Sequence, residues 1–160
     1  SAGKTFSLTG WKVGYVSGPA DLLAPVARAH QFVTFTTPPA LQRAVAVGLR
    51  LGDAYFRGLV DELAARRDLL AGGLRRLGAE VLDCAGTYFL CVSAASLGEA
   101  DDVALSRRLV AEARVATIPL SSFYDGAADA PRGHLRLCFA KTPDELTEAL
   151  DRLDRWRRAG

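Results

Sequence analysis

The sequence has few of the residues that build metal sites and disulfide scaffolds. Three cysteines occur among 160 residues, no two of them form a Cys-x-x-Cys pair, and no residue is methionine. The two histidines, His30 and His134, lack the spacing of metal ligands. This composition excludes a disulfide framework and gives no support to a zinc or other metal site. We expect the cysteines to be small buried hydrophobic residues and the histidines to be structural or solvated.

Charge and hydropathy exclude two further classes. The 20 Lys and Arg residues nearly balance 18 Asp and Glu residues, leaving a net charge of +2. The densest basic run, 152–158, is interrupted by Asp154 and Trp156, so the clustered positive surface that nucleic acid requires is missing. No stretch of eighteen apolar residues occurs. We therefore expect a cytoplasmic protein with neither a nucleic-acid nor a membrane partner.

The size suits one domain, or one domain and part of another. Hydrophobic residues make up 49% of the chain, enough for a core without disulfides or metals. Because methionine is absent and the first residue is Ser1, we expect the chain to be a fragment of a larger protein.

Glycine, proline and apolar periodicity divide the chain into helices and strands. The predicted strands are 11–16, 32–37, 79–82, 86–92, 115–120 and 135–139. The predicted helices are 22–31 with Asp21 as its cap, one beginning at Pro38-Pro39, 54–77 closed by Gly78, one capped by Asp101-Asp102 that runs to about Ala113, and one from a Thr142 cap to about Arg157. This mixture predicts an α/β fold.

Lys4 is the first residue in the chain whose side chain could take part in a reaction. It lies among small residues, where its amine can reach a planar ligand and form a Schiff base with a carbonyl. The neighbouring hydroxyls suit a phosphate group. Two alternatives remain: a solvated loop lysine, and the end of a phosphate-binding P-loop at 3–5, although a P-loop lysine leads directly into a helix.

The segment 1–15 resembles the lysine signature of class I aminotransferases, the pyridoxal-phosphate-dependent enzymes of fold type I. The resemblance continues through 30–35, 86–90, 115–124 and 135–141 and so covers nearly the whole chain. Within the class, these segments are most similar to the kynurenine/methionine aminotransferase group, with succinyl-diaminopimelate aminotransferases close behind.

The resemblance implies the C-terminal portion of such an enzyme. Residues 1–54 would be the C-terminal end of the large, cofactor-binding domain, and residues 55–160 the long interdomain helix and the α/β small domain. Because the family's other cofactor-contacting residues precede the lysine, we expect this fragment to be inactive alone. The family also implies a homodimer.

Three residues are expected to hold the cofactor, pyridoxal 5′-phosphate. Lys4 would be the catalytic Schiff-base lysine, which later moves the substrate proton. Ser1 and Lys12 match positions that bind the cofactor phosphate. Most of the class has arginine at the position of Lys12, and a lysine supplies a point charge without the two-pronged geometry of arginine. A solvated strand lysine is the alternative for Lys12.

Three further residues are expected to contact the substrate. Arg136 lies in an apolar strand, where an unpaired guanidinium is costly, so a carboxylate partner is expected. The resemblance makes that partner the substrate α-carboxylate, and an internal salt bridge is the alternative. Phe35 and Phe89 match positions near the substrate pocket, with Phe35 reaching the partner subunit's site. Core packing is the alternative for both phenylalanines.

These resemblances imply transfer of an amino group from an amino acid to a 2-oxo acid. Two other functions remain open: a non-catalytic fragment that acts as a binding or interaction domain, and a cysteine-conjugate β-lyase of the same fold.

Overall fold

The computed structural model describes residues 1–126 and 131–159. The chain divides into two compact units, Ser1–Arg57 and Gly58–Gly160. No helix in the described part of the chain is both long and apolar enough to cross a membrane.

The first unit is helical. Its helices are α1 (Ala2–Thr5), α2 (Ala20–Val33), α3 (Pro39–Gly48) and the start of α4 (Asp53–Arg76), with a 3-10 turn at Thr9–Trp11. Helix α3 begins at the proline pair as predicted, because proline at the first helical position lacks only an N–H that would have no partner there. Ala2, Val13 and Val45 form a small buried cluster, against which Phe6 and Leu41 pack.

Two strands predicted in this unit, 11–16 and 32–37, are not strands in the structure. Residues 12–19 are irregular, and Lys12 ends the 3-10 turn instead of lying in a strand. A strand needs a neighbouring strand to pair its backbone groups, and no strand among the described residues pairs with this segment. The segment 32–37 instead continues α2 to Val33, since the Thr34 amide still donates to the His30 carbonyl. The predicted Asp21 cap is also wrong, because Pro19 is the capping residue and Asp21 lies in the first turn.

The second unit packs helices against a three-stranded antiparallel sheet. The strands are β1 (Phe89–Ser93), β2 (Ile118–Pro119) and β3 (His134–Cys138), in the order β1-β3-β2. The helices are the remainder of α4, α5 (Asp102–Arg108) with a π turn at Leu109–Ala113, and α6 (Pro143–Ala159). The largest fully buried side chains of the core are Phe139, Leu74, Leu90, Leu105, Leu109, Leu135 and Val92.

Strand alternation determines which side chains are available for chemistry. Leu90, Val92, Leu135 and Leu137 point into the core, because successive residues of a strand face opposite sides of the sheet. The intervening residues of both strands lie on the other, half-buried face. This second face therefore carries Phe89, Cys91, Arg136 and Cys138.

Several predicted strands and one predicted helix are longer than the elements observed. Residues 79–82 make only a bridge, Val81 with Val92, and 115–120 shortens to the two residues of β2. Pro119 has no N–H with which to extend a ladder. Helix α5 ends regularly at Arg108, before the π turn. The cysteines, predicted to be small buried hydrophobic residues, are only half-buried.

Candidate active site

The backbone around Lys4 is held by hydrogen bonds from several directions. The Ser1 carbonyl accepts from the amides of Lys4 at 3.1 Å and Thr5 at 3.2 Å, which closes α1. The Thr9 hydroxyl donates to the Gly3 carbonyl at 3.1 Å, and the Tyr55 hydroxyl donates to the Thr5 carbonyl at 2.9 Å. Lys4 itself is exposed. A fixed backbone thus carries an accessible amine, whereas the helix that a P-loop requires is absent, since α1 ends one residue after Lys4.

Lys12 lies on the same short segment in an uncommon backbone conformation. Its φ is 54°, in the left-handed region, and Ser7 has the same φ value. Non-glycine residues in this region cost free energy and concentrate at functional sites. Ser1 and Lys12 are both exposed, so the hydroxyl and the ammonium group are accessible to an anion.

Phe35 also has a left-handed backbone, with φ of 65°, and its side chain is 77% exposed. It lines a cleft of about 350 Å³ together with Tyr15, His30 and Gln42. Within the described residues, Phe35 is therefore not packed into a core. Ser1, Lys4, Lys12 and Phe35 all belong to the first unit.

Arg136 stands at the centre of the half-buried face in the second unit. It pairs with Cys91 on one side and Ile118 on the other. Its guanidinium carbon lies 3.9 Å from the centroid of the Phe89 ring and 4.7 Å from that of Phe123. Both distances are within the range of cation–π attraction. The structure therefore brings Arg136 and Phe89 together.

The hydrogen-bonding capacity of Arg136 is incompletely used. Its Nε is buried and has no hydrogen-bond partner among the described residues 1–126 and 131–159. None of the salt bridges within those residues includes Arg136. A buried unsatisfied donor is costly, so the site suits an acceptor that arrives from outside. The internal salt bridge, the alternative for this residue, is thus not observed in the described part of the chain.

Cys91 is the titratable neighbour of Arg136. Burial raises the pKa of its thiol, and the positive charge of Arg136 offsets part of that rise. The thiol therefore stays protonated and contributes a small, weakly polar surface beside the guanidinium. The described residues contain no cluster of His, Cys, Asp and Glu able to hold a metal ion.

Phe123 is a site residue that sequence reasoning missed. It ends a 3-10 turn, Leu120–Phe123, and is 56% exposed. The segment 115–124 contributes to the resemblance, but no role could be assigned to Phe123 because the turn that directs it toward Arg136 has no sequence signature. The sequence offers only an aromatic residue that follows a short predicted strand.

Known proteins similar to this chain are aminotransferases. A methionine aminotransferase from Escherichia coli is 40% identical over 96% of this chain and 39% of its own length. A kynurenine–oxoglutarate transaminase from Dictyostelium discoideum is 34% identical over 96% of this chain and 40% of its own. The chain thus spans about 40% of the length of the curated relatives it matches.

Solved structures agree with this relationship. The N-succinyldiaminopimelate aminotransferase of Mycobacterium tuberculosis superimposes with a TM-score of 0.88 at 42% identity, over 98% of this chain and 40% of that one. The predicted fold class is therefore confirmed, and the described structure is a part of the fold type I aminotransferase fold. Residues 1–153 match the model of the aminotransferase class I and II family, and the chain belongs to that family.

Proposed function

We propose that the protein containing this chain is a pyridoxal-phosphate-dependent aminotransferase that moves an amino group from an amino acid to a 2-oxo acid. Membership of the family supports this reaction. The observation that carries the proposal is Arg136, a guanidinium held beside two aromatic rings with a buried Nε that lacks a partner among the described residues. Both substrates of a transaminase carry the carboxylate that this group would bind.

The residues present fit the cofactor by the chemistry of their donors. Ser1 supplies a hydroxyl and Lys12 an ammonium group, and both suit the phosphate. Lys4 supplies a primary amine that can bond to the aldehyde. All three are exposed. When bound, the cofactor supplies electron withdrawal from the substrate Cα, which is chemistry that no side chain provides.

The chain's own residues then have separate tasks. Arg136 binds the substrate carboxylate through two parallel N–H donors and fixes the orientation of Cα. As a free amine, the Nζ of Lys4 would take the proton from the substrate Cα. It would then deliver that proton to the carbon that was the cofactor's aldehyde carbon. Phe89 covers one side of the guanidinium and excludes water there, which strengthens its attraction for a carboxylate.

The domain assignment, the homodimer and the cellular location are proposals as well. We assign residues 1–54 to the larger, cofactor-binding domain and 55–160 to the interdomain helix and small domain. Helix α2 has no buried residue although it carries Leu22, Val26, Phe32 and Val33. Exposed apolar surface of this kind is normally covered by protein, and it supports a homodimer in which Phe35 approaches the partner's substrate. The cytoplasmic location stays a prediction.

The proposed function is tested with the full-length protein and purified substrates. Methionine, kynurenine or N-succinyldiaminopimelate is supplied with 2-oxoglutarate, and glutamate formation is measured. Arg136→Lys keeps the charge but loses the paired donors, so KM for both substrates should rise at least 30-fold, equivalent to about 2 kcal/mol. Unchanged KM values, or no glutamate with any donor, would contradict the proposal. Pyruvate released from cysteine conjugates without glutamate formation would favour the β-lyase alternative.

A further inference from the structure

We propose that Asp102 and Ser121 form a positioning pair that holds the Phe123 ring against Arg136 and so sets the affinity for the substrate carboxylate. This inference rests on the proposed function, because it assigns a task to residues that act through the carboxylate-binding arginine.

Asp102 is a buried carboxylate whose two oxygens both contact one residue. It is 3% exposed, at the first position of α5. Its Oδ2 accepts from the Ser121 amide at 3.0 Å, and its Oδ1 accepts from the Ser121 hydroxyl at 2.9 Å. The capping function expected of this segment belongs instead to Asp101, whose Oδ1 accepts from the amides of Val103 and Ala104. Capping of α5 therefore does not explain why a carboxylate is buried at 102.

The contact with Ser121 is transmitted to Phe123 through one tight turn. Ser121 lies inside the 3-10 turn Leu120–Phe123, and the Tyr124 amide donates back to the Ser121 carbonyl at 3.1 Å. Phe123 lies between the two residues that this hydrogen bond joins, so its backbone is held close to Ser121. The direction of the Phe123 side chain is thus set by where Ser121 is held.

Phe123 depends on this anchor because the core does not hold it. Its side chain is 56% exposed, and its ring centroid lies 4.7 Å from the Arg136 guanidinium carbon. A ring that moved away would leave that side of the guanidinium to water, which competes with a carboxylate. Site geometry of this precision requires supporting residues that lock the contacting ones.

A second contact between α5 and the segment 117–123 provides a matched control. The Ser106 hydroxyl of α5 donates to the Thr117 carbonyl at 3.0 Å, and the Thr117 hydroxyl donates to Ser106 Oγ at 3.2 Å. Ser106→Ala and Ser121→Ala therefore each remove a hydroxyl that joins α5 to the segment 117–123. Only Ser121 lies in the turn that directs Phe123.

The test measures KM, kcat and thermal midpoint for both variants of the full-length enzyme. Ser121→Ala should raise KM for amino and oxo acids by 3- to 10-fold, with kcat and the cofactor absorption band kept. Ser106→Ala should lower the midpoint by a similar amount but leave KM within twofold. Ser121→Thr keeps the hydroxyl and should restore KM. Equal KM values for the two alanine variants would overturn the inference.

A double-mutant cycle separates positioning from general destabilisation. Phe123→Leu, at an exposed position, should itself raise KM, and adding Ser121→Ala should then raise it no further. Binding of 4-(methylthio)butanoate, the methionine skeleton without its amino group, should show the same pattern by calorimetry. Additive effects of the two substitutions would overturn the inference.

Failure of this inference is distinguishable from failure of the proposed function. If Arg136→Lys leaves KM unchanged, Arg136 does not bind the carboxylate, and the proposed function loses its main support. If Arg136→Lys raises KM but Ser121→Ala does not, the proposed function stands and the positioning pair is wrong.

Discussion

The Arg136 guanidinium carbon lies 3.9 Å from the centroid of the Phe89 ring, across the pair of strands that carries both residues. Phe89 faces Cys138 in the register, two positions along β3 from Arg136, so the contact is a diagonal cross-strand pair. The same strands bury Leu90 and Leu137 on the opposite face. The core that stabilises the sheet therefore also fixes the distance between the cation and the ring.

Replacing Phe89 tests this relationship. Phe89→Leu keeps an apolar side chain but removes the aromatic face, which is worth about 0.5–2 kcal/mol to a nearby guanidinium. We expect KM for carboxylate substrates to rise about 2- to 30-fold in steady-state assays of the full-length enzyme. Phe89→Tyr retains the ring and serves as the control, with KM close to that of the unchanged protein. A Leu variant with the KM of the Tyr variant would show that the ring has no role.

Gly73 and Gly72 form a matched pair on α4. A Cβ at Gly73 would lie 2.9 Å from Leu150 Cγ and closer still to both of its methyl carbons, whereas a Cβ at Gly72 would meet only Arg76 Nη1 at 3.6 Å. Gly73→Ala should thus destabilise the fold by about 1–3 kcal/mol through overpacking. Gly72→Ala should stabilise it by up to about 1 kcal/mol, because alanine favours helix.

Urea unfolding of the two glycine variants measures the difference directly. If Gly73→Ala were as stable as Gly72→Ala, the close packing of α4 on α6 would be wrong.

The start of α6 predicts a specific dependence of stability on pH. The Thr142 amide and hydroxyl both donate to Glu145 Oε2, and these hydrogen bonds hold the pKa of the Glu145 carboxyl below its ordinary value. A carboxyl whose pKa is lowered by folding stabilises the folded state above the ordinary glutamate pKa of about 4.3. That contribution is lost as pH falls through the lower, folded-state value.

Glu145→Gln isolates this contribution. The difference in unfolding midpoint between the unchanged protein and the variant should be largest near neutral pH and should shrink below about pH 4. Other acidic groups titrate in both proteins and cancel in the comparison. A difference that is the same at pH 7 and pH 3 would contradict the assigned cap.

The predictability of the fold differs between the two units for a physical reason. Helices α3, α4 and α6 follow from local signals: a proline pair, a long apolar period, and the Thr142–Glu145 capping box. The segment 11–16 has the composition of a strand but lacks a strand partner among the described residues, so composition alone misassigned it. Strand formation depends on distant neighbours, whereas helix formation depends on nearby ones.

The candidate site shows the same division. Arg136 could be identified as a candidate from the sequence, because a guanidinium in an apolar strand needs a partner for its charge whatever the position of the strand in the fold. The roles proposed for Phe123 and Asp102 could not be inferred from the sequence, because they depend on a turn that brings Ser121 back to α5 across nineteen residues of sequence. From the sequence alone, Asp102 is interpreted together with Asp101 as a helix cap, the commonest role of an aspartate pair before an apolar run.

Lys4 is the residue that we propose bonds to pyridoxal phosphate, and reductive trapping identifies the bonded lysine by its position in the chain. The chain contains only three lysines, Lys4, Lys12 and Lys141, so peptide mapping can tell them apart. The full-length protein is mixed with the cofactor, reduced with borohydride, digested and analysed by mass spectrometry. We expect stoichiometric attachment at Lys4 and no transamination by a Lys4→Ala variant. Attachment mainly at another lysine, or near-normal turnover of Lys4→Ala, would contradict it.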